Sequence, residues 1–171
     1  PVFLHILSIM KSLPEHDGDR PFMRKPYAAA LSCSEGEFFD DFSVSDAPLK
    51  DLMAFIRKHV KGNQILVFDN EELLPDNLEE KLDENGLELI NMHSYFRNGI
   101  WISKLFAPDY SGMTIRNSVM KSKPRYFDRL ALLLDLDKGK IDDPESAIRK
   151  YVFENLGAVL ELYGRLYADL I

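Results

Sequence analysis

Residues Val2–Met10 read VFLHILSIM and are apolar apart from His5 and Ser8. A short, continuously apolar run of this kind is typical of a central strand that is buried on both faces of a sheet. A polar side chain in such a strand needs a hydrogen-bond partner or a functional role. The sequence therefore predicts a central first strand, in which His5 is either a core histidine bonded to a neighbour or part of a site.

The length and composition indicate one globular domain. The chain has 171 residues, of which 46% are hydrophobic and 29% are charged, and we expect residues 1–171 to form a single domain around one core. No apolar run approaches the ~20 residues that a membrane helix needs, so no membrane partner is predicted. The chain starts without an initiator Met and ends in an apolar pattern. We therefore expect a domain excised from a longer protein.

The charge and the cysteine content limit the function classes. Cys33 is the single cysteine, which excludes an internal disulfide and a cysteine-based metal cage and favours the reducing cytoplasm. The net charge of −7 counts against a broad nucleic-acid footprint, because contacts to phosphate dominate that affinity. A local basic groove is still compatible with this charge.

The hydrophobic periodicity predicts strands and helices in alternation after the first strand. Pro14–Pro26 holds three prolines and is predicted to be a loop. The elements that follow are two hairpin strands, two helices and two further strands: Tyr27–Ser34, Glu37–Val44, a helix capped by Asp46 and Pro48, Ile65–Phe68, a helix face of Leu74, Leu78 and Leu82 closed by Asn85-Gly86, and Leu87–Met92.

The C-terminal half adds a hairpin and a long last helix. His93–Phe106 carries Asn98-Gly99 between apolar runs, a strong hairpin signal. Asp143 and Pro144 predict the start of the final helix, whose apolar stripe includes Asn155. Antiparallel strands followed by helical crossovers predict a mixed α/β sheet of five strands, flanked by helices, with an inserted β-hairpin. This order of elements is that of the ribonuclease H-like fold.

Four segments resemble the 3′–5′ exonuclease domain of family B DNA polymerases. Asp51–Leu78 looks like that family's helix, strand and "YNGxxFD" motif, and Tyr95–Tyr110 is similar to its "GRIHFDLYP" hairpin. Lys150–Leu162 resembles its "RYSxxDAxxTxxL" motif, and Val2–Ile9 lies where "FDIET" is expected. The resemblance implies a ribonuclease H-like fold and an ancestry in DNA replication or repair.

The residues that carry the chemistry of that family are missing. The family cleaves DNA with four carboxylates that hold two divalent cations. The resemblance places these positions on His5, Leu7, Leu74 and Asn155, and none of the four is acidic. Because hard cations such as Mg²⁺ need oxygen ligands, chiefly carboxylates, the sequence predicts no cofactor and no hydrolysis at this site.

The acidic run after the fourth predicted strand leaves an alternative open. Asp69, Glu71 and Glu72 could hold one Mg²⁺ or Mn²⁺ ion beside His5 if the parallel strands are adjacent. A solvated strand end followed by a helix N-terminus, where carboxylates favour the dipole, is the commoner role of such a run.

A basic stretch near residue 120 is the candidate nucleic-acid contact. Arg116, Lys121, Lys123 and Tyr126 could meet phosphate and stack a base of single-stranded DNA, although a solvated loop is the simpler interpretation.

Three functional hypotheses follow from these observations. The favoured one is a catalytically inactive exonuclease-like module, which contacts a replication or repair protein, or the remainder of a longer polymerase-like chain, and binds single-stranded DNA weakly. The second is a divergent metal-dependent nuclease that uses the relocated acids. The third is an α/β protein-binding domain whose polymerase resemblance is coincidental; it predicts a first strand that is not central, or an Asn155 that does not pack near His5.

Overall fold

A computed structural model describes residues 1–12, 22–69, 73–92 and 143–168 of the chain. Within these ranges the chain forms five strands and three helices. In chain order they are β1 (Phe3–Ser12), β2 (Phe22–Cys33), β3 (Gly36–Asp41), α1 (Pro48–His59), β4 (Gln64–Val67), α2 (Leu78–Glu84), β5 (Glu88–Asn91) and α3 (Pro144–Ala168). The predicted hairpin His93–Phe106 lies outside the described residues.

The five strands form one open sheet in the order β3-β2-β1-β4-β5. The β1–β2 and β2–β3 pairs are antiparallel, whereas β4 is parallel to both β1 and β5. The predicted mixed α/β sheet is therefore confirmed, and β1 is its central strand. Every residue from Phe3 to Ile9 is buried, as the apolar run predicts.

The second strand begins earlier than the sequence pattern indicates. The Pro14–Pro26 loop prediction is wrong for its last residues, because β2 already starts at Phe22. Pro26 lies opposite Ser8, next to a register shift between Leu7 and Ser8. Proline cannot donate to a strand ladder and is accommodated at bulges, so the irregularity explains how this strand continues through Pro26.

The helices start and end close to the predicted residues, with one correction. The N-cap of α1 is Ala47 rather than Asp46. The Ser45 hydroxyl accepts a hydrogen bond from the Ala47 N–H and donates one to the Asp51 carboxylate, so a serine closes this turn. At the end of α2, Gly86 has φ +70°, as predicted for a left-handed cap.

Helices cover both faces of the sheet, because side chains of β1 point alternately to opposite sides. Phe3, Leu7 and Ile9 form one core cluster with residues of α3, whereas Leu4 and Ile6 form a second cluster with residues of α1 and α2. We call them the α3 cluster and the α1/α2 cluster. The β1 strand is thus buried between two helical layers.

Candidate functional site

His5 lies in the middle of β1, and only 2% of its surface is exposed. It is paired with Ala30 across the β1–β2 ladder. The His5 ring lies near the ring of Tyr151 on α3, with a centroid distance of 6.0 Å and an edge-to-face angle of 66°. Phe3 and Leu7, two residues before and two residues after His5, belong to the α3 cluster. His5 therefore lies on the face of β1 that packs against α3, and we call this packed contact between β1 and α3 the seam.

Asn155 is a buried polar residue of α3. It is 2% exposed, and its Nδ2 donates a hydrogen bond of 2.9 Å to the backbone carbonyl of Tyr151. This buried amide is therefore hydrogen-bonded, and the acceptor is a carbonyl one turn earlier in its own helix. Tyr151 therefore connects the two polar residues, since its ring faces His5 and its carbonyl binds Asn155.

Three of the four positions at which the resemblance implies carboxylates lie on these two packed elements. Leu7 is fully buried in the α3 cluster, where it is joined by Val152 and Leu156. Leu74 does not join them, because it precedes α2 and packs on the α1/α2 cluster across the sheet. The structure thus places His5 and Leu7 on β1 and the buried Asn155 on α3, which packs against β1, and it leaves Leu74 apart.

The side chains at this seam do not fit a pair of hard divalent cations. Leucine offers no ligand atom, and the Asn155 amide offers a single neutral oxygen. Mg²⁺ and Mn²⁺ sites need several oxygen ligands, which carboxylates normally supply. What the seam provides is apolar burial between a strand and a helix.

Asp69 follows β4 and is 5% exposed. Its backbone N–H donates to Asn91 Oδ1 at 3.3 Å, and its backbone carbonyl accepts from Asn91 Nδ2 at 2.8 Å. Phe3 is paired with Leu66, so β4 lies beside β1, and Asp69 comes two residues after the end of β4. The Asn91 side chain thus joins the segments at the carboxyl ends of β4 and β5, and it fixes the backbone of a residue whose side chain is buried.

The alternative metal site is only partly within the described residues. Glu71 and Glu72 lie outside them, as do Arg116, Lys121, Lys123 and Tyr126 of the candidate nucleic-acid contact. In the ranges that the structure describes, no group of three or more His, Cys, Asp or Glu residues is arranged to hold a metal ion.

Ser8 is a polar residue that the sequence analysis did not select as a site residue. Its side chain is fully buried in β1, and its Oγ has no hydrogen-bond partner within the described part of the chain. The signal was its position inside the apolar run Val2–Met10. Tyr151 was also missed, because its place in an apolar stripe indicated only a core residue.

One ion pair at the β2–β3 turn, away from the seam, shifts the pKa values of both its members. A hydrogen bond and the positive charge of Lys61 lower the pKa of Glu35, and the same contact raises the pKa of Lys61. Both side chains are largely exposed. This pair therefore belongs to the surface and not to the candidate site.

Comparison with known proteins adds no relative: no family model, curated protein or solved structure matches this chain. Among the described helices, none is both long enough and apolar enough to cross a membrane.

Proposed function

We propose that this chain is a catalytically inactive exonuclease-like domain of the family B DNA polymerase type, with a ribonuclease H-like fold. It acts as a structural or interaction module in DNA replication or repair. The observation that carries the proposal is the seam between β1 and α3. There His5, Leu7 and Asn155 occupy positions at which the resemblance implies catalytic carboxylates, and all three are buried.

The topology supports this ancestry. An antiparallel meander β1–β2–β3, followed by β4 and β5 parallel to β1, is the order that the resemblance implies. A long C-terminal helix packs on the central strand, where the family's last motif is expected. The third hypothesis expected β1 away from the centre or Asn155 away from His5. The central place of β1 favours the first hypothesis over it.

Loss of the carboxylates has a physical consequence for the domain. Several carboxylates in one site repel one another when no cation is bound, and a buried charge costs free energy. Leu7 instead contributes apolar burial at about 25 cal/mol per Å² removed from water. A domain that is kept for its shape gains stability from this exchange and loses hydrolysis.

A divergent nuclease is the second candidate, and the burial of Asp69 just after β4 favours it. In that case Asp69, with Glu71 and Glu72, would hold Mg²⁺ or Mn²⁺ as the ion that activates water. Weak contact with single-stranded DNA through Arg116, Lys121, Lys123 and Tyr126 is compatible with either candidate.

Divalent-cation binding separates the two candidates. A ligand that binds only the folded state at one hundred times its Kd stabilises that state by about 2.7 kcal/mol. We expect the urea midpoint to be the same in MgCl₂ or MnCl₂ as in NaCl of equal ionic strength. An increase in the midpoint that disappears in Asp69→Asn, but persists in the exposed control Asp83→Asn, would favour the nuclease.

A further inference from the structure

An arginine at the surface of α3 lies against two aromatic rings. The Cζ atom of Arg149 is 5.3 Å from the ring centroid of Phe39 on β3 and 5.5 Å from that of Phe153, one turn later on α3. The two rings contact each other, with centroids 5.9 Å apart. Arg149 is exposed, whereas both rings are half-buried against the α3 cluster. We call these three residues the arginine–phenylalanine patch.

The patch lies beside the seam. Phe39 is paired with Ala30, and Ala30 is paired with His5, so these residues form one row across β3, β2 and β1. On α3, Phe153 comes two residues after Tyr151, whose ring faces His5. The patch is therefore at the partly exposed margin of the contact between α3 and the sheet, and the seam is in the interior of that contact.

The guanidinium of Arg149 is oriented by the rings but has no partner of opposite charge. Within the part of the chain that the structure describes, neither a hydrogen bond nor an ion pair joins it to a carboxylate. The neighbouring Lys150, by contrast, has its Nζ 3.9 Å from a carboxylate oxygen of Glu154. Stacking on aromatic rings occupies the faces of a guanidinium and leaves its in-plane N–H groups, which match the two oxygens of a carboxylate. A guanidinium that is already held in place also loses less conformational entropy when it binds a ligand.

The charges around the patch distinguish one kind of anion from another. Glu37 lies two residues before Phe39 on the same face of β3, and Glu145 lies one turn before Arg149 on α3; both are exposed. These carboxylates would repel the closely spaced phosphates of a nucleic acid. A protein segment with one carboxylate among Lys, Arg and apolar side chains would instead be attracted to Arg149 and to both glutamates. Arginine and aromatic side chains are also enriched in protein–protein interfaces.

We propose that the arginine–phenylalanine patch is the docking site for a partner protein that presents one Asp or Glu carboxylate within a basic and apolar segment. The carboxylate accepts paired hydrogen bonds from Arg149, as is typical of bidentate arginine–carboxylate recognition. An apolar side chain of the segment covers the exposed parts of the two rings. Its Lys or Arg side chains meet Glu37 and Glu145.

This inference deepens the proposed function, since it names the chemistry of the partner and rests on the view of the domain as an interaction module. The two can fail separately. Cation binding tests the surroundings of Asp69, whereas peptide binding tests Arg149. A nuclease could carry the same patch, and an inactive domain could lack a ligand for it.

The experiment uses the full chain labelled with ¹⁵N and the peptide Lys-Leu-Asp-Leu-Lys, blocked at both ends so that the aspartate is its single carboxylate. A control peptide carries asparagine in place of aspartate, and an oligothymidylate tests for binding of a nucleic acid. Arg149→Ala removes the guanidinium, and Arg149→Lys keeps only its charge. Lys150→Ala removes the neighbouring exposed charge of the same helix, so it is the matched control.

We expect the aspartate peptide to bind at low salt and to shift the side-chain Nε–Hε signal of Arg149. Arg149→Ala should lower the affinity by about 2- to 10-fold, and Arg149→Lys should lower it too, because the paired donors are lost. Lys150→Ala should bind like the wild type, and the asparagine peptide should bind more weakly.

Four results would overturn the inference. The aspartate peptide does not bind, Arg149→Ala and Lys150→Ala bind it equally, Arg149→Lys binds it as tightly as the wild type, or the oligothymidylate shifts the Arg149 signal more than the peptide does. Because Arg149 is exposed, its variants should fold normally, and circular dichroism checks this.

Discussion

Replacement of Leu7 by aspartate returns a carboxylate to one of the positions at which the exonuclease resemblance implies one, and we expect it to destabilise the fold severely. Leu7 is fully buried in the α3 cluster. Its cross-strand partner is Ala28, and the next residue on that face of β2 is Ala30. Alanines cannot fill a space left by a shortened side chain, so little relaxation is available.

The magnitude follows from two contributions. Truncation of a buried leucine to alanine costs about 2 to 5 kcal/mol, and the alanine neighbours place Leu7→Ala near 4 kcal/mol. Aspartate adds the cost of a buried, unpaired carboxylate, which is several kcal/mol. The sum approaches the total stability of a typical domain, about 5 to 15 kcal/mol.

The pH dependence separates the charge from the lost volume. Burial should raise the pKa of the introduced carboxyl above its unfolded value of about 3.9. The unfolded state then releases its proton first, so the stability of Leu7→Asp should fall by about 1.4 kcal/mol per pH unit between pH 4 and the folded pKa. Leu7→Ala should not show this slope.

Urea denaturation followed by circular dichroism between pH 3.5 and 7 measures both variants. Val44→Asp is the control, because Val44 is 94% exposed and should change stability by less than about 0.5 kcal/mol. The reasoning would be refuted if Leu7→Asp were as stable as Leu7→Ala at pH 7. A gain of stability in Mg²⁺ would point instead to a latent metal site.

Three further predictions concern a turn, a surface pair and the buried amide. Gly86→Ala should lower the free energy of unfolding by about 1 kcal/mol in a urea titration, because Gly86 has φ +70°. Gly62→Ala should not lower it, since the added Cβ meets nothing within 4 Å, and equal losses in the two variants would contradict the assigned backbone. Lys61→Ala should raise the pKa of Glu35, which NMR of the Glu35 carboxyl carbon measures, and an unchanged pKa would exclude the contact. Because Lys61 lowers that pKa, the pair stabilises the fold above pH 4.5, and this contribution is lost as the pH falls through the lowered pKa. Asn155→Ala should cost about 1 to 3 kcal/mol in the same titration, through the lost hydrogen bond and the cavity, and a cost below 0.5 would show that the amide is not buried.

Local patterns were sufficient to predict most of the architecture. The run Val2–Met10 predicted a central strand because burial on both faces demands apolar side chains at every position, and β1 is that strand. The Asn85-Gly86 pair predicted a helix end because glycine accepts the left-handed backbone. Each of these features depends on residues that are neighbours in the chain, and it can therefore be predicted from the sequence alone.

One error arose where a distant contact decides the local structure, and the other arose because a neighbouring side chain makes the bonds of the helix cap. Proline density between residues 14 and 26 indicated a loop, but pairing with β1 extends β2 back to Phe22, and the register shift beside Ser8 accommodates Pro26. Asp46 had the usual residue type for a helix cap, yet the bonds at this turn are made by Ser45.

The burial of His5 and Asn155 was predictable from the sequence, but their contacts were not. The apolar context marked His5 and Asn155 as buried polar residues, and the resemblance placed them near each other. The sequence could not show that Asn155 donates to the carbonyl of Tyr151, or that Asn91 bonds both backbone groups of Asp69. Such partners depend on side-chain geometry, which periodicity does not encode.

The measurement that tests the central claim most directly is digestion of 5′-labelled single-stranded DNA by the purified chain in Mg²⁺ and then in Mn²⁺. Asp69→Asn, purified in the same way, reports contaminating nuclease, and Asp83→Asn controls for the loss of a surface charge. The inactive-domain account predicts that the wild-type chain digests no more DNA than Asp69→Asn. Digestion by the wild type and by Asp83→Asn, but not by Asp69→Asn, would contradict it and assign the cation to the end of β4.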